Sequence, residues 1–263
     1  MKQDILIEDL NAGYYVKHSS LQNGLANEIL SNYPIKRTSH ILDVGCGDGR
    51  ITAELANLAS KGRVIGLDPS PSMIEFARNI FPKTEFPSLD FQLGMAEDVV
   101  FTQAFDLITS FSCFHWLKEP QKAIHRLSSA LKEGGEMVIL TYPKESPYYR
   151  YLQIALKRYP EYYPLSANHT MLSASEYKKI LIQNHLEITD FRKKNLVAYY
   201  NTAEEIRQYI RGWLNSYVPL PEYLYDSFLE EVSQAMLADP TTSKKGRIGI
   251  PYTALVIEAK KRV

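Results

Sequence analysis

The chain has 263 residues, 45% of them hydrophobic and 23% charged, with 30 basic side chains balancing 30 acidic ones. That composition belongs to a folded globular protein, and its zero net charge provides no overall field for nucleic acid or an anionic membrane. No stretch approaches the roughly 18 uninterrupted apolar residues of a membrane helix, and the only cysteines, Cys46 and Cys113, suggest neither a disulfide framework nor a zinc site, which leads us to expect a soluble, cytoplasmic protein.

The opening stretch MKQDILIEDLNAGYY has no long apolar run after its lysine, and no targeting segment is expected there. A helix from SLQNGLANEILSNY comes first. From Ile41 to Tyr142 strand-like apolar runs alternate with helix-like segments, the pattern of parallel βαβ units. Strands are predicted at Ile41 to Gly45, Arg63 to Asp68, Asp90 to Gly94, Phe105 to Ser110 and Gly135 to Tyr142, with helices beginning near Gly49, Pro71 and Glu119. Past Tyr142 the composition changes, because 14 of the 18 tyrosines fall between Tyr142 and Tyr225. PKESPYYRYLQIALKRYPEYYPL reads as a cap rather than as more sheet. HLEITDFRKKNLVAYY then reads as a strand, TAEEIRQYIRGWL as a helix opened by a threonine cap, EYLYDSFLEEVSQAML as a second amphipathic helix and GIPYTALVIEAKK as a closing strand. The expected fold class is α/β, a Rossmann-like doubly wound sheet under a helical cap. Residues 1–142, 186–200 and 249–263 form the expected core, and 143–185 and 201–248 are two cap insertions.

Between the first strand and its helix lies DVGCGDGR, Asp43 to Arg50. Gly45, Gly47 and Gly49 alternate, and Arg50 stands where a dinucleotide fold has the third glycine of G-x-G-x-x-G. Asp43 would oppose a diphosphate but suits an amino group. The turn, with Cys46 inside it, therefore fits S-adenosylmethionine, whose zwitterionic methionine end replaces the diphosphate. A tight strand-to-helix turn of no chemical role has similar glycines, and Asp68 separates the two readings. Its carboxylate ends the second strand, placed to accept both hydroxyls of a ribose. Pro69 follows it, and Met73 is expected over the adenine face. After the third strand the backbone of Met95 and Ala96 is offered to the adenine edge, with Glu97 as an acceptor; the acid usual in the Met95 place is absent. Ser110 and Phe111, at the end of the fourth strand, complete the candidate cofactor set.

These residues, with LKEGGEMVIL, resemble the class I S-adenosylmethionine-dependent methyltransferases. YYVKHSSLQ, SFSCFHWL and PYTALVIEAKK look like the small-molecule acid methyltransferases, nearest to the juvenile hormone acid methyltransferase group, with trans-aconitate and malonyl-acyl-carrier-protein methyltransferases as more distant kin. The resemblance spans Asn11 to Tyr142 and the last strand. It implies a seven-stranded, mostly parallel sheet with the last strand antiparallel, S-adenosyl-L-methionine as cofactor, S-adenosyl-L-homocysteine as product and a small-molecule acid as acceptor. It also implies that Gln22 and Trp116 point toward the acceptor carboxylate, to which an amide and an indole N–H can donate. A solvated helix-start residue is the other reading of Gln22, and a core aromatic that of Trp116. His115 is a candidate base for a hydroxyl or amine acceptor; an acid needs no base, and His115 is then a packing or orienting residue. Arg150, Arg158, Arg207 and Arg211 are either anchors for a second acidic group or solvated charges. Transfer to a hydroxyl, amine or carbon stands as an alternative, as does a cofactor-binding regulatory protein without turnover. Glycine spacing disfavours a dehydrogenase, no histidine spacing indicates a metal, and nothing in the chain specifies an oligomeric state.

Overall fold

Short apolar runs become strands buried on both faces, as a covered parallel sheet requires. In the computed structural model, which describes residues 20–162, 170–218, 220–242 and 246–262, these are β1 (His40–Val44), β2 (Arg63–Asp68), β3 (Leu89–Leu93) and β4 (Phe105–Phe111). The longer β5 (Leu131–Thr141), β6 (Leu186–Tyr200) and β7 (Ile248–Lys261) complete a seven-stranded sheet of order β3-β2-β1-β4-β5-β7-β6. Strands β1 to β5 pair in parallel, and β7 runs antiparallel to both β5 and β6. This is the expected Rossmann-like sheet with its last strand reversed. β5 begins at Leu131 rather than at Gly135. Leu131 pairs with Phe105, and the register then shifts so that Leu107 faces Glu136 across the left-handed Gly134. A glycine irregularity of this kind reads as loop in a sequence.

The described helices are α1 (Ser20–Asn32), α2 (Arg50–Leu58), α3 (Pro71–Ile80), α4 (Pro120–Ala130), α5 (Pro147–Leu156), α6 (Ala174–Gln183), α7 (Ala203–Tyr217) and α8 (Tyr225–Ala238). Their starts follow local chemistry. Ser70 accepts the Met73 N–H ahead of α3, Ser173 and Glu176 form a reciprocal capping box on α6, and Thr202 accepts the Glu205 N–H on α7 as the sequence predicts. On one face of the sheet Ile124 and Leu127 of α4 and Tyr177 and Leu181 of α6 join Ile108, Ile139 and Ile257 in one core. The other face carries Leu25 and Ile29 of α1, Ala53 and Leu55 of α2, and Ile74 and Ala77 of α3. It continues through Leu152 of α5, Ile210 of α7 and Phe228 of α8 against Val138, Ala198 and Ala254. Helix α6, inside a stretch expected as cap, therefore lies on the sheet, while α5, α7 and α8 gather at its β6–β7 end.

Glu97 fixes the entry to α4. Its Oε1 accepts the N–H groups of Lys118, at 3.0 Å, and Glu119, at 3.3 Å. A helix start leaves such donors unsatisfied, and its dipole favours a carboxylate. The side chain expected to meet adenine is thus buried and engaged in holding the chain ahead of α4. Replacing Glu97 by Ala strands two amides, and a loss of about 2 kcal/mol or more in urea unfolding is expected; an unchanged midpoint would contradict this role.

Candidate active site

The C-terminal ends of β1 and β4 meet where the strand order reverses, the crevice in which open α/β sheets bind ligands. Past β1 the chain turns through Gly45, Gly47 and Gly49 at φ +73, +51 and +80, left-handed values that glycine adopts without strain. At Gly45 the approach is also tight. A Cβ there would lie 2.3 Å from Cys113 Cβ and 2.5 Å from its Sγ, in the segment following β4. The turn is tied to β2 as well, because Leu67 O accepts the N–H groups of Gly45 and Cys46 at 2.7 and 3.1 Å.

Asp43 lies beneath this turn, 2% exposed, and accepts the hydroxyls of Thr52 at 2.7 Å and Thr109 at 2.8 Å. Burial pushes its carboxyl up to about 6, against the lowering effect of the two hydroxyls. Expected to meet an amino group, Asp43 has both oxygens engaged in joining β1 to α2 and β4. Asp68, 9% exposed, ends β2 as expected, and its two oxygens accept the N–H groups of Gly47 and Ser70, each at 2.9 Å. A carboxylate has about four acceptor sites, so holding the turn is compatible with receiving a ribose diol. Pro69, Met95 and Phe111 are half-buried, and Ala96 and Met73 are buried. Cys46 is buried and its thiol pushed up by desolvation. Ser110 donates to Val44 O at 2.8 Å, so its hydroxyl joins β4 to β1. A glycine-rich cradle beside an acid at the β2 end fits a ligand with a ribose and a compact charged end.

The acceptor candidates occupy the turn after β4. His115 is 5% exposed, with Nδ1 3.4 Å from Thr141 Oγ1 and its ring centroid 5.1 Å from that of the half-buried Trp116. Gln22 falls in α1, and its side chain lies outside the described residues, as does the YYVKHSS stretch before it. The structure adds tyrosines to which the sequence reading gave no place at the site, two in predicted strands (Tyr142, Tyr252) and two in the cap (Tyr148, Tyr209). Tyr142 meets His115 edge-on at 4.9 Å and Tyr252 of β7 at 6.1 Å; Tyr148 of α5 meets Tyr252 and Tyr209 of α7, both at 6.2 Å. The one signal that marked any of them was the place of Tyr142 as the last residue of a predicted strand; in the structure it follows β5 directly. The four cap arginines all form ion pairs: Arg150 with Asp239, Arg158 with Glu231, Arg207 with Glu204 and Glu230, and Arg211 with Asp226.

Residues 35–203 match the family described as a methyltransferase domain. The chain belongs to that family. Over 263 residues it is 24% identical to a trans-aconitate 2-methyltransferase from Shigella flexneri, covering 97% of this chain and 99% of that one. A malonyl-[acyl-carrier protein] O-methyltransferase from a Paenibacillus species is 33% identical over 143 residues, half of each protein. A geranyl diphosphate methyltransferase solved in complex with S-adenosylmethionine superposes with a TM-score of 0.57 at 15% identity, covering 96% of this chain and 90% of that one. Among the described residues of this methyltransferase no group of side chains gathers to hold a metal, and no helix is long and apolar enough to cross a membrane.

The raised carboxyl of Asp43 has a consequence for stability. Its proton is held more tightly in the folded chain, so its contribution is fully present below the ordinary carboxylate value and is lost as pH rises through about 6. Asp43→Asn removes that titration. Relative to wild type, the variant is expected to gain stability between pH 4 and 7, on the order of 2 to 3 kcal/mol. Parallel urea melts that show no change in the difference across this range would contradict it.

Proposed function

We propose that this S-adenosylmethionine-dependent methyltransferase acts on a small molecule and transfers the methyl group to a carboxylate oxygen, giving a methyl ester. The observation that carries this reading is the neutral character of the acceptor side. Trp116, Tyr142 and Ser112 bring neutral N–H and O–H groups to the turn after β4, whose Cys113 lies against Gly45, and the cap arginines are paired with acids. Neutral donors orient a carboxylate without the full ion pair that would quench its nucleophilicity. The acceptors named in the two relatives, trans-aconitate and a malonyl group, are themselves carboxylic acids.

When bound, S-adenosylmethionine supplies an electrophilic methyl on its sulfonium. Asp68 would hold the ribose hydroxyls, and the glycine backbone would face the methionine end. The indole N–H of Trp116 and the amide of Gln22 would orient the acceptor. Because a carboxylate is already ionised at neutral pH, no side chain needs to remove a proton, and His115 serves to position Tyr142. Helices α5, α7 and α8 form the cap in this reading and keep water from the two reacting charges, which cancel as the bond forms. The two free cysteines suit a reducing compartment, and we place the enzyme in the cytoplasm.

A labelled-methyl screen of carboxylic acids, phenols and amines tests this directly. Label is expected in base-labile esters, at a rate nearly independent of pH from 6 to 9, since no general base titrates in that window. Label confined to base-stable products, or homocysteine-cofactor binding without turnover of any acid, would overturn it.

A further inference from the structure

Among the described residues three buried side-chain atoms have no hydrogen-bond partner: Asp48 Oδ2, Tyr151 Oη in α5 and Asp190 Oδ2 in β6. Of these only Asp48 belongs to the glycine turn, where it stands between Gly47 and Gly49. The residue is 5% exposed, and its Oδ1 accepts the N–H of Arg50 at 3.2 Å as α2 begins. The ion pair of Oδ2 is with Arg50 Nε at 3.6 Å, beyond hydrogen-bond reach. A buried carboxylate oxygen left in this state lowers stability, and the start of α2 does not require it: an asparagine would accept the same N–H without the charge.

The other groups of the turn are engaged. Leu67 O accepts the N–H groups of Gly45 and Cys46, Asp68 accepts that of Gly47, and Cys46 O accepts that of Gly49, so four donors that could have cradled a diphosphate are satisfied within the chain. Asp43 has both oxygens on threonines, and Glu97 holds the amides ahead of α4. Asp68 ends β2, where it would hold the ribose. What the turn offers to the methionine end is thus an acceptor, Asp48 Oδ2. An ammonium group brings both the positive charge and the N–H donors that this oxygen lacks.

We propose that Asp48, through Oδ2, receives the α-ammonium group of the cofactor's methionine end, the part that the sequence pattern suggested for Asp43. Asp43 is then the structural acid beneath the turn, and Asp48 the recognition acid within it. The arriving ammonium displaces Arg50 from Oδ2. The Arg50 side chain is 46% exposed, and it returns to water with the small loss typical of a surface ion pair. A diphosphate in the same place would meet a carboxylate and a turn whose donors are engaged, so Asp48 also selects an amino-acid end over a nucleotide's phosphates. The proposal rests on the cofactor alone and is independent of the acceptor's identity.

The test is calorimetric binding to the full chain of S-adenosylhomocysteine, of its analogue with hydrogen in place of the α-amino group, and of 5′-methylthioadenosine, which lacks the amino-acid end. Wild type is expected to prefer S-adenosylhomocysteine to the deaminated analogue by about tenfold or more, the scale of one hydrogen bond to a charged group. Asp48→Asn is expected to lose that preference and to bind 5′-methylthioadenosine as wild type does, with an unchanged or higher urea midpoint in the absence of ligand. Arg50→Ala, which leaves the carboxylate in place, is expected to bind S-adenosylhomocysteine as tightly as wild type or more tightly. A preference that survives in Asp48→Asn, an equal loss for all the ligands, or a matching loss in Arg50→Ala would overturn the proposal. So would an Asp48→Asn chain that is destabilised or unfolded, since the carboxylate would then belong to the fold. Binding of none of the ligands by wild type would overturn the cofactor assignment, and the proposal with it.

Discussion

A buried carboxylate joins the parts of this molecule on which the chemistry depends. Asp43 receives one hydroxyl from α2 and one from β4, and it sits directly beneath the turn that those elements must bring together. Each hydrogen bond to a charged group contributes about 1.5 to 3 kcal/mol, which offsets part of the cost of burying the charge. With β1, α2 and β4 fixed, Gly45 can lie against Cys113, and Gly47 can reach the carboxylate of Asp68. The left-handed glycines are thus held directly by Asp68 at Gly47, and Asp43 fixes the elements on either side of them.

That arrangement divides labour along the sheet. The parallel half, β3 to β5, ends in backbone and carboxylates suited to a ribose and a charged methionine, whereas the β7–β6 end carries α5, α7 and α8 with their tyrosines. The charges of the cap are paired with one another on its outer surface, where such ion pairs contribute little stability. Their consequence is one of placement, because the guanidinium groups are engaged away from the aromatic cluster.

The parallel core was legible in the sequence since its strands are continuous apolar runs separated by helices with recognisable starts. β2 matches the expectation at both ends, and Ser70, Pro71 and Thr202 act as their residue types suggest. The position of Asp68 was equally legible, being set by the end of a strand. What spacing does not encode is the partner of a side chain. Asp43, Glu97 and Ser110 stand at strand ends or in the loops that follow, as ligand-binding residues do, yet each meets a group of the chain itself: two threonines, two amides and a carbonyl. The tyrosine cluster was illegible for a different reason. Its members come from β5's end, α5, β6, α7 and β7, and only the antiparallel return of β7 beside β5 and β6 brings them together. Helix α6 looked like cap because it follows the tyrosine-rich stretch, but Tyr177, Ile180 and Leu181 give it an apolar face that the sheet covers.

The central claim is that the glycine turn and Asp68 together hold S-adenosylmethionine. Calorimetric titration with S-adenosylhomocysteine, on wild type and on Asp68→Ala shown to be folded by circular dichroism, tests it most directly. The account predicts saturable one-to-one binding by wild type and a loss of at least tenfold in the variant, the scale of one hydrogen bond to a charged group. Equal affinity in the two proteins, or no binding by wild type, would contradict it.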